Sequence, residues 1–239
     1  MAISVSTLEY RAGDTLCKGE YFTPAGAAGP LPVVLVCHAW DGLNDEVRDK
    51  ARKLAEAGYI AFAIDVHGGG KVFTDRAELA ATLTPFLKDR ALLLQRLQGA
   101  ATAAKGIPGA DASRMGAMGY CFGGMAVLDL ARSGVEGLKA VVTFHGTLEG
   151  NRLDNPKTLS TKILVLHGDD DPLVPPAQVA AFKAEMNAKC VDWQLHAYGH
   201  TVHAFTRPAA NDRAFGTVYN ATADRRSWQA MLNFFDEVL

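Results

Sequence analysis

The chain has 239 residues, of which 49% are hydrophobic and 21% charged, and its formal net charge is -2. That balance supports a sizeable buried core and excludes a disordered chain, and the lack of any block of like charge excludes an electrostatic nucleic-acid footprint. No apolar run approaches the roughly 18 residues of a membrane span, and Met1–Tyr10 has neither the basic nor the apolar region of a signal peptide.

The cysteines, Cys17, Cys37, Cys121 and Cys190, are scattered without the spacing of a zinc site or a disulfide framework. Composition fits one large domain or two small ones and does not decide between them; the expectation is a cytoplasmic, reduced protein, a single domain over residues 1–239 and a monomer or small homo-oligomer. It is expected to carry no metal and no cofactor, and to bind neither nucleic acid nor membrane.

Two weak strands, near Ser4–Tyr10 and Lys18–Thr23, are expected to pair antiparallel at a sheet edge. Pro24–Pro32 reads as a loop. Leu31–Ala39 contains Val33-Val34-Leu35-Val36-Cys37, the continuous apolar run of a strand buried on both faces. Asp45–Ala57 places Val47, Ala51, Leu54 and Ala55 at helical spacing, with Gly58 as the stop. Ile60–Asp65 is the next strand, and Arg76–Lys105 is helical with an interruption at Pro85.

Further along, Arg114–Gly119 is a short strand, Gly123–Arg132 a helix, Leu138–Phe144 and Ile163–Leu166 strands, Pro176–Asn187 a helix and Val191–Ala197 the last strand. A final helix carries Trp228, Met231, Leu232 and Phe235 on one face. Repeated β–α alternation predicts an α/β fold, a mostly parallel sheet with helices on both faces. In such sheets chemistry gathers at the carboxyl ends of the strands.

Three of those ends carry reactive residues. Gly119-Tyr120-Cys121-Phe122-Gly123-Gly124 lies between a strand and a helix. A nucleophile flanked by glycines in this way sits on a sharp turn that only small neighbours can pack against. The following helix N-terminus favours a thiolate, and the Phe122 N–H points where an oxyanion needs a donor. A thiol nucleophile needs a base, and the base an orienting group. Leu166-His167-Gly168-Asp169-Asp170-Asp171-Pro172 supplies the acid, and Tyr198-Gly199-His200-Thr201-Val202-His203-Ala204-Phe205 the histidine. Asp169, Asp170 and Asp171 all stand as candidates for the acid, and His200 competes with His203 for the base. The order nucleophile, acid, histidine is that of α/β-hydrolases.

With these motifs the sequence resembles the dienelactone hydrolase family. The matching stretches are His38-Ala39-Trp40-Asp41-Gly42-Leu43-Asn44, the Cys121 turn, Gly168-Asp169-Asp170-Asp171-Pro172, and His203-Ala204-Phe205 with Arg207 beyond. The resemblance implies an α/β-hydrolase fold, a Cys121–His203–Asp171 triad, and oxyanion donors at the N–H groups of Phe122 and Trp40. It also implies Arg207 as a ligand for a substrate carboxylate and a small ester or lactone as substrate. Relatives often carry a glutamate where this chain has Ala39, and Asp41, two residues on, either replaces it or caps the turn.

His38 and Trp40 are expected to line the pocket. His67-Gly68-Gly69-Gly70 reads as a mobile loop without the sequence of a phosphate-binding loop, and Cys17, Cys37 and Cys190 as structural. His145 ends a strand on the active face with no partner evident from sequence. The expected reaction is hydrolysis of an activated ester or enol-lactone through a thioester, with activated phosphorus esters as a side activity. The competing readings are a non-catalytic binding protein of the same fold and a redox or acyl-carrying thiol protein.

Overall fold

The alternation read from the sequence is realised, in the computed structural model, as a mixed, mostly parallel sheet flanked by helices on both faces. This is the α/β-hydrolase architecture. The structure describes residues 2–26 and 29–239, so part of the Pro24–Pro32 loop lies outside the described residues. The chain divides into two compact units, Met1–Ala117 with Val135–Leu138, and Met118–Gly134 with Lys139–Leu239.

The first unit holds β1 (Ile3–Ala12), β2 (Thr15–Pro24), β3 (Leu31–Cys37), α1 (Asp45–Glu56), β4 (Ile60–Ile64), α2 (Arg76–Lys88), α3 (Arg90–Ala104) and the start of β5 (Ala110–Tyr120). Its strands lie in the order β1-β2-β4-β3-β5. The expected antiparallel pair is present, with Ile3 opposite Pro24 and Ala12 opposite Thr15. β3 and β4 are parallel, and Val33 to Cys37 have no exposed surface, as an apolar run without alternation requires.

Proline placement proved subtler than the sequence suggests. Pro85 does not break its helix; it lies inside α2, which runs on to Lys88. The break comes at Asp89, whose extended backbone ends α2 while its carboxylate accepts from the N–H groups of Ala91 and Leu92 and starts α3. A proline removes one N–H, whereas a capping carboxylate satisfies two at a new N-terminus.

The second unit takes the last three residues of β5 and adds α4 (Phe122–Arg132), all but the first residue of β6 (Leu138–Phe144), β7 (Lys162–Gly168), α5 (Pro176–Ala188) and β8 (Trp193–Tyr198). β6, β7 and β8 are parallel neighbours. Two short strands, β9 (Asn211–Asp212) and β10 (Thr217–Val218), precede α6 (Ala221–Val238). Sequence pattern missed this hairpin because two-residue strands have no period to read. The buried face of α6 is Ala223, Ser227, Met231, Phe234 and Phe235, with Trp228 and Leu232 only half-buried beside it.

Every residue of α4 is buried, including Arg132. That guanidinium is satisfied throughout. It donates to Asp129 Oδ1 and to both carboxylate oxygens of Glu185 on α5, and to the carbonyls of Leu148 and Glu149. The helix behind the reactive turn is thereby tied to α5 and to the segment after β6.

Candidate active site

The Cys121 turn owes its shape to its neighbours. Cys121 has φ 53 and ψ -115, a left-handed conformation costly for a residue with a Cβ. Its N–H donates to Phe144 O at 3.0 Å, and its carbonyl accepts from Met125 N–H at 3.1 Å. A Cβ on Gly119 would collide with the backbone of Gly123, so the strand can enter and the helix leave this closely only with glycine there. Phe122 is the first residue of α4, and its N–H belongs to the helix's first turn, whose amide groups lack intrahelical acceptors.

Asp171 follows β7 and is 4% exposed, and His203 follows β8 and is 2% exposed. Their side chains meet, His203 Nδ1 lying 2.8 Å from Asp171 Oδ2, while Asp171 Oδ1 accepts from Leu173 N–H at 2.9 Å. His203 is held on both sides by the hairpin. Its N–H donates to Gly216 O at 3.0 Å, and its carbonyl accepts from Val218 N–H at 3.1 Å. The competitors stand apart, for His200 is exposed on the surface with Asp170 at 3.8 Å, and Asp169 is exposed as well.

Burial alone would lower the His203 pKa. The hydrogen bond to Asp171 and the hydrogen-bonding and charge effects of Cys121 outweigh it, and the pKa rises from 6.5 to about 10. Among the described residues the buried His203 Nε2 has no hydrogen-bond partner of good geometry. His167, at the end of β7, has its pKa lowered by burial, with Asp171 and Asp169 opposing that shift and His203 adding to it.

His145 was without an evident partner in the sequence, and the structure supplies several. Its Nε2 lies 2.8 Å from Thr206 Oγ1, and its ring stands edge-on to His203 with centroids 5.0 Å apart. Thr206 offered no sequence signal at all. Arg207 follows in a turn in which its N–H donates to Ala204 O.

The remaining expected residues lie in the first unit. His38 is fully buried, with Nδ1 2.6 Å from Ala39 O and Nε2 accepting from Val66 N–H at 3.2 Å. Burial is the main cause lowering its pKa to about 4, with His67 adding to it. Neutral His38 therefore donates from Nδ1. Trp40 is 39% exposed, and its carbonyl lies 2.9 Å from His67 Nε2. Asp41 accepts from Asn44 Nδ2 at 3.0 Å, and Asn44 in turn caps α1. The glycine loop after His67 is pinned, because the Asp65 carboxylate accepts from the N–H groups of Lys18, Gly68 and Gly70. Cys17 and Cys37 are buried, whereas Cys190 is exposed. Among the described residues no group of acidic, histidine and cysteine side chains could hold a metal ion, and no helix is long and apolar enough to cross a membrane.

A crystal structure of a dienelactone hydrolase-like promiscuous phosphotriesterase from metagenomic libraries is 40% identical, covers 100% of this chain and 99% of its own, and superposes with a TM-score of 0.95. A structure named m3DLH is 38% identical over the whole of both chains, also with a TM-score of 0.95. The protein K02A2.1 of Caenorhabditis elegans is 41% identical over 149 residues, 61% of this chain and 93% of its own. The profile of the dienelactone hydrolase family matches residues 18–239. Spanning all but the first strand and the start of the second, that match makes this chain a member of the dienelactone hydrolase family and a hydrolase acting on ester bonds.

Proposed function

We propose that the protein hydrolyses activated carboxylic esters or enol-lactones through a Cys121–His203–Asp171 triad. The observation that carries this reading is the buried His203–Asp171 pair, whose histidine also responds to Cys121. A His203 pKa of about 10 means that the ring holds its proton at neutral pH and has it to give to a leaving group.

In this reading Cys121 Sγ attacks the carbonyl carbon, and the developing oxyanion is met by the Phe122 N–H. Collapse of the adduct expels the alkoxide or enolate, which takes the proton from His203 Nε2 and leaves a thioester on Cys121. His203, now neutral, takes a proton from water as the water attacks the thioester. The acid departs and the sulfur–imidazolium pair is restored. Asp171 holds Nδ1 protonated throughout, so only Nε2 exchanges protons.

Three expectations from the resemblance complete the reading: the Trp40 N–H as second oxyanion donor, Arg207 as ligand for a substrate carboxylate, and one catalytic domain over the whole chain. Asp41 acts in the cap of α1, and His38 holds the Ala39 carbonyl. With all four cysteines unpaired, a reducing cytoplasmic setting suits the chemistry.

The test is turnover of p-nitrophenyl acetate and an enol-lactone by wild type and Cys121→Ala. The variant should be inactive on both; retained turnover refutes the triad. A second substrate class is favoured by the likeness to the promiscuous phosphotriesterase. A p-nitrophenyl dialkyl phosphate should be cleaved by wild type and spared by Cys121→Ala.

A further inference from the structure

His145 closes β6 with a backbone φ of 41, a strained conformation for a side chain of its size. The residue is 3% exposed, yet its ring carries two nitrogen atoms, an expensive choice for a site that an apolar ring could fill. Four of its neighbours define its setting. Thr206 Oγ1 lies 2.8 Å from Nε2, and the rings of His203 and Phe205 stand edge-on with centroids at 5.0 and 5.2 Å. Tyr120, the residue before the nucleophile, lies at 6.0 Å.

The backbone joins the same parts. Phe144 O accepts the N–H of Cys121, and His145 N–H donates to Leu166 O of β7, the strand leading to Asp171. Ala204, at φ 56, turns the chain so that His203, Phe205 and Thr206 all border one ring.

The hydrogen bond to Asp171 anchors His203 at Nδ1, and the direction in which Nε2 points then depends on what packs against the ring. We propose that the His145–Thr206 pair is a positioning device. It locks the His145 ring against rotation, and that ring braces His203 so that Nε2 is aimed at the nucleophile and at the leaving group. This rests on the triad reading above. His145 and Thr206 touch neither substrate nor the reacting atoms and act through His203. The ionisable groups around His203 are Cys121 from the turn before α4, Asp171 and His167 from β7 and the loop after it, and His145 itself.

The experiment compares Thr206→Val, which keeps the shape and loses the hydroxyl, with Thr206→Ser, which restores it. His145→Phe and His145→Gln are measured alongside, with Cys121→Ala as the reference for the triad. Each is assayed for thermal unfolding, for kcat and KM on p-nitrophenyl acetate, and for iodoacetamide alkylation of Cys121 against pH. Thr206→Val and His145→Phe should lose about 10- to 100-fold in kcat, the scale of a misaligned catalytic group, with KM unchanged and a displaced alkylation profile. Thr206→Ser should return both to wild type.

Wild-type kcat and an unchanged alkylation profile in Thr206→Val overturn the proposal. So does a loss that only follows the unfolded fraction, or one that serine fails to rescue. If His145→Phe does not fold, the valine and serine pair decides. Retained turnover in Cys121→Ala refutes the triad reading instead, so the two failures are distinct.

Discussion

Replacing Asp171 by asparagine is the most direct probe of the buried pair. The substitution keeps volume and removes charge where both side chains are almost wholly enclosed, 3% exposed for His203 and none for Asp171. Asparagine can still accept from Leu173 N–H through its carbonyl oxygen. Its amide then points an N–H toward His203 Nδ1, 2.8 Å away in the wild type. Two donors cannot share that contact, so the imidazole shifts its proton to Nε2 and can no longer receive one there. Holding the base in the wrong tautomer costs about 10⁴-fold in kcat in a Ser–His–Asp triad. At about 1.4 kcal/mol per factor of ten, that is roughly 5.5 kcal/mol of barrier, and a loss of that order in kcat is expected here. The assay is p-nitrophenyl acetate hydrolysis at neutral pH, with iodoacetamide alkylation against pH reporting the sulfur. Activity within threefold of wild type and an identical alkylation profile would refute the reasoning.

Other consequences follow from the same contacts. Because the folded His203 pKa is raised from 6.5 to about 10, the folded state binds a proton that the unfolded state releases earlier. Its stabilising contribution is full below pH 6.5 and is lost as pH rises through about 10, so urea midpoints should fall across that window. In Asp171→Asn this decline should shrink; an undiminished decline would point to other groups. Arg132→Met should cost about 3–5 kcal/mol in urea unfolding by leaving buried Asp129 without its cation, and Arg132→Met with Asp129→Leu should recover part of it. No recovery would refute the charge argument. Gly119→Ala should disturb the turn more than the fold, because its Cβ meets the Gly123 backbone. Hydrolysis should drop sharply while circular dichroism stays native; full activity would show that the turn can relax.

The predicted strands match those of the structure to within a few residues, and the antiparallel β1–β2 pair, the parallel core and the position of α4 were all legible. These features rest on local physics: uninterrupted apolar runs, helical spacing, and glycines flanking a turn. Where local signals compete, sequence reading faltered. Pro85 looked like a break, yet the helix ended at Asp89, where a carboxylate could cap the next helix. Gly68, Gly69 and Gly70 looked mobile, yet the Asp65 carboxylate, reaching from the end of β4, holds the loop.

The sequence by itself determined the opening motif, a cysteine between a strand and a helix with glycines on either side, because that pattern is contiguous. It also narrowed the acid and the histidine to two short stretches after strands. The family resemblance picked Asp171 and His203 from them, and the tertiary structure adds that these two side chains meet while Asp169 and His200 are exposed. Adjacent residues at a strand end point in different directions, and the choice depends on which side chain turns inward to meet a partner 32 residues away. His145 and Thr206 lie 61 positions apart. The sequence places His145 at a strand end but gives it no partner, and nothing local marks Thr206, because what joins them is the packing of β6 against the loop that bears the histidine.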